Sequence, residues 1–453
     1  MASGKAELIA IYGRRRIGKT FLVKQYFDEQ FDFYMTGIYD ASKRDQLANF
    51  NRQLNSYSGA YYPIVDDWFD AFAQLRHFLS GRDSSKPIVI FFDELPWLDT
   101  PRCKFVKAFE LFWNEWASSR ANLKMIVCGS ATTWMTSRLL GDKGGLHNRV
   151  TRPIKLSSFT LAETEAFLIK KGFPQSRMQM LDAYMALGGT PFYLDLLRPA
   201  LSVSQNIDQL FFAEGAPLRN EYDFLFRSLF NDAPTYRRIV ELLATKLKGL
   251  TKQEIVKALK LNDNGNLAEI LSNLCNCDFL RRYNAFGYKK RDAMYQLVDN
   301  YCLFYLRFVK SDRSQDTRRW SNTTNDGQRK AWNGYAFEQV ALRHIEQIKR
   351  RLGINGLRSD VASWQTDGAQ IDLVIDRADR VINLCEMKYT DAPFAVTKAY
   401  HKLMIERREL FRNKTQTSKA LHLTMVVPFG IKGNAQSTEI QSVITLDDLF
   451  LPL

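Results

Sequence analysis

Residues 8–20 read Leu8-Ile9-Ala10-Ile11-Tyr12-Gly13-Arg14-Arg15-Arg16-Ile17-Gly18-Lys19-Thr20, an apolar run followed by a loop with a glycine at each end. The apolar run predicts a strand, and the lysine and threonine open a predicted helix. This is the strand–loop–helix context that the pattern G-x-x-x-x-G-K-[ST] requires. The stretch therefore predicts an α/β fold whose first loop wraps the phosphates of a nucleotide.

Each residue type in this loop has a physical reason to be there. Gly13 and Gly18 let the backbone approach a phosphate without a Cβ clash. Lys19 can reach the β- and γ-phosphates of ATP, and Thr20 can place its hydroxyl on Mg²⁺. The predicted helix Phe21–Phe27 points its first N–H groups at the anion. The residues expected to contact ATP are Gly13, Arg14, Arg15, Arg16, Ile17, Gly18, Lys19 and Thr20. The alternative interpretation is a structural glycine turn.

A second stretch predicts the metal and the catalytic base of the same site. Residues 88–92 are apolar throughout, which is typical of a parallel strand buried on both faces. Asp93 and Glu94 follow at its carboxyl end, where α/β sheets bind ligands. We expect Asp93 to hold Mg²⁺ and Glu94 to polarise the water that attacks the γ-phosphate. The alternative is an acidic helix cap, because Leu95-Pro96-Trp97 comes next.

Two further strands complete the predicted first domain, residues 1–157. The run 124–128 is apolar after its first lysine, and it ends in Gly129-Ser130. A polar side chain at that end of a strand can sense the γ-phosphate, so we assign this role to Ser130. The last predicted strand covers residues 152–156.

Composition limits the classes of protein that the chain can belong to. Its 453 residues are 45% hydrophobic and carry 63 Lys+Arg against 49 Asp+Glu, a net charge of +14. We therefore expect several domains and a polyanionic partner. No apolar run approaches the roughly 20 residues of a membrane span. The start lacks the apolar segment of a secretory signal, and the six cysteines form no disulfide framework, which favours a cytoplasmic protein with reduced thiols.

The remaining chain divides into four predicted regions. Residues 158–230 have helical periodicity and are interrupted at Gly188-Gly189-Thr190-Pro191. Residues 231–311 have the pattern of a winged helix with three helices and two wing strands. Residues 312–330 are rich in Ser, Asp, Arg, Thr, Asn and Gln, which indicates an exposed connector. Residues 331–453 return to an α/β pattern.

The predicted winged helix combines a basic tip with a neutral recognition helix. The tip between the wing strands, residues 286–291, contains two lysines and an arginine, so phosphate contact is one expectation. The outer face of the third helix instead carries Asn266, Glu269, Ser272 and Asn273. Packing or protein docking is therefore favoured over sequence-specific DNA reading.

Four residues of the last region form a second candidate site. Glu338 lies on a predicted helix over residues 332–349, and Asp372 lies on a predicted strand over residues 370–376. The next strand, residues 381–388, carries Glu386 and Lys388 on the same face. Asp372 and Glu386 can hold a hard divalent cation such as Mg²⁺. Lys388 and Glu338 are the expected catalytic residues of a phosphodiester hydrolysis site. The alternative is a solvated strand face.

The first half of the sequence resembles a known group of nucleotide-binding proteins. Over residues 7–200 it is similar to the archaeal-type ATPases of the STAND/AAA+ P-loop group. The resemblance implies a helical lid over residues 158–230 in which Pro191 contacts the nucleotide. It also implies that Arg149 senses nucleotide in cis or in trans. The group usually begins with a Gly-Arg-x-x-Glu helix that covers adenine. This sequence begins at its first strand, so weak adenine affinity is an expectation.

The C-terminal part resembles the PD-(D/E)XK nuclease superfamily. The matching positions are Glu338, Asp372, Glu386 and Lys388, and they imply a restriction-endonuclease-like α/β domain over residues 331–453. With the winged helix, the whole chain is similar to one family of prokaryotic ATPases that carry a nuclease-like domain. The expected architecture is a P-loop parallel-sheet ATPase, a helical lid, a winged helix and this C-terminal domain.

Two functions compete at this point. The first is an ATPase whose nucleotide state controls a metal-dependent nuclease acting on nucleic acid, with DNA favoured over RNA. The second is a STAND-type switch whose nuclease-like domain binds nucleic acid or protein without cleaving it. A weaker third interpretation is DNA-binding regulation through the winged helix alone. The expected ligands are ATP and Mg²⁺, and either a homo-oligomer or a protein partner is compatible with the sequence.

Overall fold

The computed structural model describes residues 4–83, 85–141, 146, 148–230, 232–287, 293–323 and 326–453. The chain divides into two compact units, Met1–Ser157 and Ser158–Leu453. Among the helices of the described ranges, none is both long enough and apolar enough to cross a membrane.

The first unit is built on a five-stranded sheet in the order β2-β3-β4-β1-β5. Its strands are β1 (Glu7–Tyr12), β2 (Phe33–Thr36), β3 (Ile88–Asp93), β4 (Leu123–Gly129) and β5 (Arg152–Lys155). All neighbouring strands run parallel. Every residue of β3 and β4 is buried, as their apolar sequences predict. The parallel sheet confirms the α/β prediction, and it places the carboxyl ends of β1, β3 and β4 at one edge.

The helices of the first unit have clear local causes. They are α1 (Lys19–Tyr26), α2 (Lys43–Ser58), α3 (Trp68–Ser80), α4 (Phe105–Glu115) and the single turn α5 (Thr132–Trp134). Ser42 and Asp45 form a capping box at the start of α2, and Gly59 ends it at φ 66°. Phe72 of α3 packs its ring against the rings of Phe92 and Phe112. These contacts fix α3 and α4 on the strand that carries Asp93.

The second unit begins with a group of helices. They are α6 (Leu161–Lys170), α7 (Arg177–Leu187), α8 (Pro191–Asp195), α9 (Val203–Ile207) and α10 (Glu221–Leu229). Thr160 and Glu163 form a capping box at the start of α6. Tyr184 of α7 donates a hydrogen bond to the carbonyl of Phe159, and Gly189 accepts one from the amide of Phe159 at 2.7 Å. The turn after α7 is thereby held close to the start of α6.

Three helices and a small sheet follow. The helices are α11 (Ala233–Ala244), α12 (Lys252–Leu259) and α13 (Gly265–Asn276). The antiparallel sheet, in the order β6-β8-β7, contains β6 (Leu250–Thr251), β7 (Leu280–Tyr283) and β8 (Met294–Leu297). Most of the predicted basic wing tip, residues 288–291, lies outside the described residues.

The predicted connector, residues 312–330, is exposed at most of its described positions, and Trp320 is a buried exception. The preceding segment contains α14 (Asn300–Phe304), and the connector contains α15 (Arg319–Asn322). Trp320 is only 6% exposed and packs edge-on against Phe304 and Phe308. Asp208 accepts hydrogen bonds from the amides of Trp320 and Ser321. One large apolar side chain outweighs its polar neighbours and anchors this segment.

The C-terminal region is a mixed sheet flanked by helices. The helices are α16 (Gly327–Arg343), α17 (Ile345–Arg351), α18 (Lys398–Thr415) and α19 (Leu446–Leu449). The sheet, in the order β13-β12-β11-β10-β9, contains β9 (Ser359–Thr366), β10 (Ala369–Arg377), β11 (Val381–Met387), β12 (Ala420–Val426) and β13 (Ile440–Ile444). Strand β10 is antiparallel to both neighbours, whereas β11, β12 and β13 are parallel.

The helix predicted over residues 332–349 is two helices, because His344 leaves the helical conformation. Its fully buried ring bonds the carbonyl of Val340 through Nδ1, and its Nε2 accepts a hydrogen bond from the amide of Leu161 at 2.9 Å. Burial lowers the pKa of His344 to about 4, so the ring is neutral and can accept this bond. The break between α16 and α17 thus ties the first helix of this unit to its C-terminal region.

We expect Gly189→Ala to destabilise the second unit. A Cβ at this position would lie 1.9 Å from the carbonyl oxygen of Phe159, so the backbone must shift at a cost of about 2 kcal/mol or more. The midpoint of thermal unfolding checks this expectation. Gly334→Ala in α16 is the matched control, because its Cβ meets nothing within 4 Å. An unchanged midpoint for Gly189→Ala would contradict the close approach.

Candidate nucleotide site and C-terminal carboxylate cluster

The loop after β1 needs glycine at both of its ends. Gly13 has φ 146°, and a Cβ there would lie 2.1 Å from the carbonyl oxygen of Leu156. Gly18 has φ 84° and directly precedes α1, whose first amides face the loop. Side chains at these positions would strain the backbone or collide with β5's end. The loop therefore has the backbone shape that the sequence pattern predicts.

Lys19 lies inside this loop and is 5% exposed. Its Nζ donates hydrogen bonds to the carbonyl oxygens of Gly13 and Arg14, both at 3.0 Å. The two carbonyls orient the ammonium group without neutralising its charge. The loop thus presents a buried positive charge surrounded by backbone, which is an arrangement that suits an anion.

Thr20 and Asp93 come together from α1 and β3. The Thr20 hydroxyl donates to Asp93 Oδ2 at 2.8 Å. Burial, followed by the negative charge of Glu94, raises the pKa of Asp93 to about 6. A hydroxyl and a carboxylate are oxygen ligands of the kind that Mg²⁺ prefers. The donor set therefore fits the predicted metal, which would supply charge neutralisation to bound phosphates.

Glu94 and Ser130 contact each other directly, although the sequence predicted their roles separately. Glu94 adopts the left-handed conformation at φ 48°. Its Oε2 accepts hydrogen bonds from the Ser130 amide at 2.9 Å and from the Ser130 hydroxyl at 2.7 Å. Because β4 lies beside β3 in the sheet, the residue after β4 reaches the residue after β3. The predicted catalytic base is therefore held by the predicted phosphate sensor.

The other residues predicted to contact nucleotide differ in their exposure to solvent. Arg14 and Ile17 are buried, whereas Arg15 is partly exposed and Arg16 has φ 76°. Arg149 is exposed in the turn before β5.

Pro191 is the first residue of α8 in the second unit, and its fixed φ suits that position. The contact of Pro191 with nucleotide stays a prediction, as does the sensing role of Arg149.

The predicted C-terminal strands pair as expected and bring their carboxylates together. Asp372 on β10 and Glu386 on β11 adjoin the register pair Leu373–Cys385. Asp372 Oδ2 accepts a hydrogen bond from the Met387 amide at 3.4 Å. Burial raises the pKa of both carboxyls, and the charge of Asp372 raises that of Glu386 further. The two side chains therefore share one poorly hydrated place.

Glu338, on α16, lies near Asp372 and Glu386. Burial and then the negative charge of Asp372 raise its pKa to about 7, while the charges of Arg281 and Lys388 oppose that rise. Across the described residues, no set of three His, Cys, Asp or Glu side chains could hold a metal ion. The cluster thus offers the predicted pair, Asp372 and Glu386, and Mg²⁺ commonly binds one or two carboxylates and keeps several waters.

Sequence reasoning missed the arginine that pairs with Glu386. Arg407 of α18 donates to Glu386 Oε1 at 2.9 Å, and Glu386 is only 5% exposed. Lys388 lies just beyond β11, where its amide donates to the carbonyl of Val426. Periodicity alone could not place α18 over β11, so the pair had no signal in the sequence.

A second missed contact joins α7 to the residue after Lys388. The hydroxyl of Tyr389 donates to Asp182 Oδ1 at 2.9 Å. Burial raises the pKa of Asp182, and the positive charge of Arg329 opposes that rise. The residue next to the predicted catalytic lysine is thereby held by the helix that leads to Gly188 and Gly189.

The parallel sheet, the glycine-ended loop around Lys19 and the Thr20–Asp93 pair define the first unit as a P-loop nucleotide-binding domain. Residues 1–197 match the family model described as an ATPase domain predominantly from Archaea. This match extends beyond the first unit through α8 of the second. Residues 1–197 are therefore similar to the archaeal-type ATPase domain.

One relative spans most of the chain. An uncharacterized protein of Methanocaldococcus jannaschii is 24% identical over 418 residues, which cover 90% of this chain and 88% of that protein. Two solved structures are also similar. The Walker-type ATPase of Pyrococcus abyssi has 15% identity and a TM-score of 0.45 over 66% of this chain and 91% of that one. The ORC2 protein of Aeropyrum pernix, solved in ADPNP–ADP complexes, has 13% identity and a TM-score of 0.41 over 66% and 86%.

We expect Glu338→Gln to stabilise the protein at pH 8 but not at pH 4.5. The pKa of Glu338 is raised from 4.5 to about 7, so its ionisation costs folded-state stability as the pH rises through that interval. Glutamine cannot ionise, and the gain at pH 8 should be on the order of 1 kcal/mol. Calorimetric unfolding at the two pH values measures it. A gain at pH 4.5 alone would contradict the assigned electrostatics.

Proposed function

We propose that this protein hydrolyses ATP and uses its nucleotide state to control a metal-dependent, nuclease-like C-terminal domain that acts on nucleic acid. DNA is the favoured substrate. The proposal rests on one observation, the convergence of Glu338, Asp372, Glu386 and Lys388 in a chain that also carries a P-loop. A net charge of +14 supports a polyanionic partner. The spacing of the six cysteines, which forms no disulfide framework in the sequence, supports a cytoplasmic location.

The ATPase half of the proposal follows from the contacts around Lys19. The ammonium group would move from its two carbonyls to the β- and γ-phosphates, where its charge offsets theirs. Thr20 and Asp93 would hold Mg²⁺, which neutralises phosphate charge when bound. Glu94 would exchange a Ser130 hydrogen bond for the attacking water and take up its proton. Ser130 could then contact the γ-phosphate. The Glu94–Ser130 pair would thus take part both in hydrolysis and in sensing the γ-phosphate.

The nuclease half assigns a task to each residue of the carboxylate cluster. Asp372 and Glu386 would hold a divalent cation, which would stabilise negative charge on the scissile phosphate when bound. Glu386 must first leave Arg407. Lys388 would orient the attacking water, and Glu338, with a pKa of about 7, can carry a proton near neutral pH.

The second unit offers a physical connection for nucleotide control. Residues 158–230 would be the helical lid of the ATPase, with Pro191 at the nucleotide. Within this unit, α7 bonds Tyr389 through Asp182, and the start of α6 bonds His344. A lid displacement would therefore act on the segments that carry Lys388 and Glu338. Residues 231–311, as a winged helix, would move with it.

A second candidate is a STAND-type switch that binds nucleic acid or protein without cleavage. The observation that favours it is the Arg407–Glu386 ion pair, because an arginine neutralises a carboxylate that metal binding requires. In this version the exposed Arg149 would act in trans within a homo-oligomer.

The test incubates the protein with linear, circular and single-stranded DNA and with RNA, in Mg²⁺ or Mn²⁺, with and without ATP. We expect Lys19→Ala to lower the rate of ATP hydrolysis by a factor of about 100 or more, because no lysine then offsets the phosphate charge. We expect Lys388→Ala to lose cleavage and keep ATP hydrolysis. Lys402→Ala, on the exposed face of α18, is the matched lysine control.

The outcomes separate the two candidates. Cleavage that disappears in Lys388→Ala but not in Lys402→Ala supports the nuclease. Cleavage that persists in Lys388→Ala overturns the site assignment. No cleavage together with nucleotide-dependent binding of intact nucleic acid favours the switch.

A further inference from the structure

We infer that the hairpin formed by β7 and β8 covers the C-terminal site and places the positive charge of Arg281 in one pocket with Glu338 and Asp372, where it competes with a divalent cation. The inference rests on the proposed function, because it describes regulation of that same carboxylate cluster. The described part of the hairpin comprises residues 280–287 and 293–297. It comes from the predicted winged helix, for which packing is favoured over sequence-specific DNA reading, and its role here would be that of an internal cover.

The hairpin is docked on the C-terminal sheet through its backbone and one aromatic ring. The amide of Phe286 donates to the carbonyl of Ser363 on β9 at 2.8 Å, and Ala285 forms a parallel bridge with Ser363. The ring of Phe286 lies 5.0 Å from that of Phe411 on α18. The hairpin therefore adds a short extended segment to the edge strand of this sheet.

The docked hairpin forms one side of a pocket over the carboxylates. The residues that it and the preceding loop contribute are Lys248, Arg281, Tyr283 and Gln296. The residues that the C-terminal region contributes are Glu338, Ser363, Trp364, Gln365, Gln370 and Asp372. The hairpin therefore contributes one wall of the pocket that contains Glu338 and Asp372.

Arg281 is held in place by its own hairpin. Its Nε donates to Gln296 Oε1 at 2.6 Å, and its guanidinium lies 4.6 Å from the centre of the Tyr283 ring. Burial lowers the pKa of Arg281, and the negative charge of Glu338 opposes this change. The opposite charges of Arg281 and Glu338 attract each other in this pocket. This attraction favours the docked position of the hairpin that carries Arg281.

This arrangement makes metal binding and hairpin docking mutually exclusive. A divalent ion at Asp372 would face the fixed positive charge of Arg281 across a poorly hydrated pocket, where charge repulsion is strong. The proposal requires that the contacts at Ser363 and Phe411 open when a divalent ion binds. Binding of a divalent ion would then replace the Arg281 guanidinium as the positive charge near Asp372.

The test measures Mn²⁺ binding to the full chain by electron paramagnetic resonance, without nucleotide and in an Asp93→Asn background. Arg281→Gln should bind Mn²⁺ at least tenfold more tightly than the parent, because the competing charge is gone. Adding Asp372→Asn should abolish that gain. Arg282→Gln is the matched control, since this exposed neighbour points to the other face of β7.

Phe286→Ala provides a second variant that loosens docking and leaves Arg281 in place. It should also tighten Mn²⁺ binding, and it decides the question if Arg281→Gln does not fold. Equal Mn²⁺ affinity in the parent and both variants, with binding that still requires Asp372, would overturn the cover and leave the metal site standing. Absence of any Asp372-dependent binding would overturn the metal site and the cover together.

Discussion

Buried carboxylates need a cation, a proton or hydrogen bonds, and this requirement governs both units of the molecule. Burial is the main cause of the raised pKa of Asp93 and of Glu338. In the first unit, Lys19 supplies the opposing charge from a loop shaped for phosphate. In the second, Arg281 supplies it to Glu338 of α16, and Arg407 supplies it to Glu386 of β11. Each group of acids thus has a positive charge from another element beside it.

The ATPase site could be predicted because its determinants are local. The loop, its two glycines and Lys19 are consecutive in the chain. The continuous apolar run of residues 88–92 predicts a buried parallel strand, and Asp93 directly follows that run. Pairing of β10 with β11 was also predictable, because the two apolar strands are separated by a short turn. The match of residues 1–197 to an archaeal-type ATPase domain agrees with this local signal.

The remaining features depend on contacts between distant segments. Arg281 and Arg407 look like ordinary surface cations in the sequence, because nothing near them indicates the carboxylates that they meet. His344 interrupts a helix that its periodicity predicts to continue, since its ring bonds the start of α6 far along the chain. Trp320 is buried in a segment whose polar composition indicated exposure. Tertiary packing overrode the local pattern at each of these positions.

The central claim is that nucleotide binding to the first unit uncovers the carboxylate cluster in the second. Amide hydrogen exchange of residues 280–287 tests it most directly, because the Phe286 amide is protected by the carbonyl of Ser363. The account predicts faster exchange of this segment when a non-hydrolysable ATP analogue is added at constant Mg²⁺, and no change on the same addition in Lys19→Ala. Equal protection with and without saturating nucleotide in the unmodified protein would contradict it.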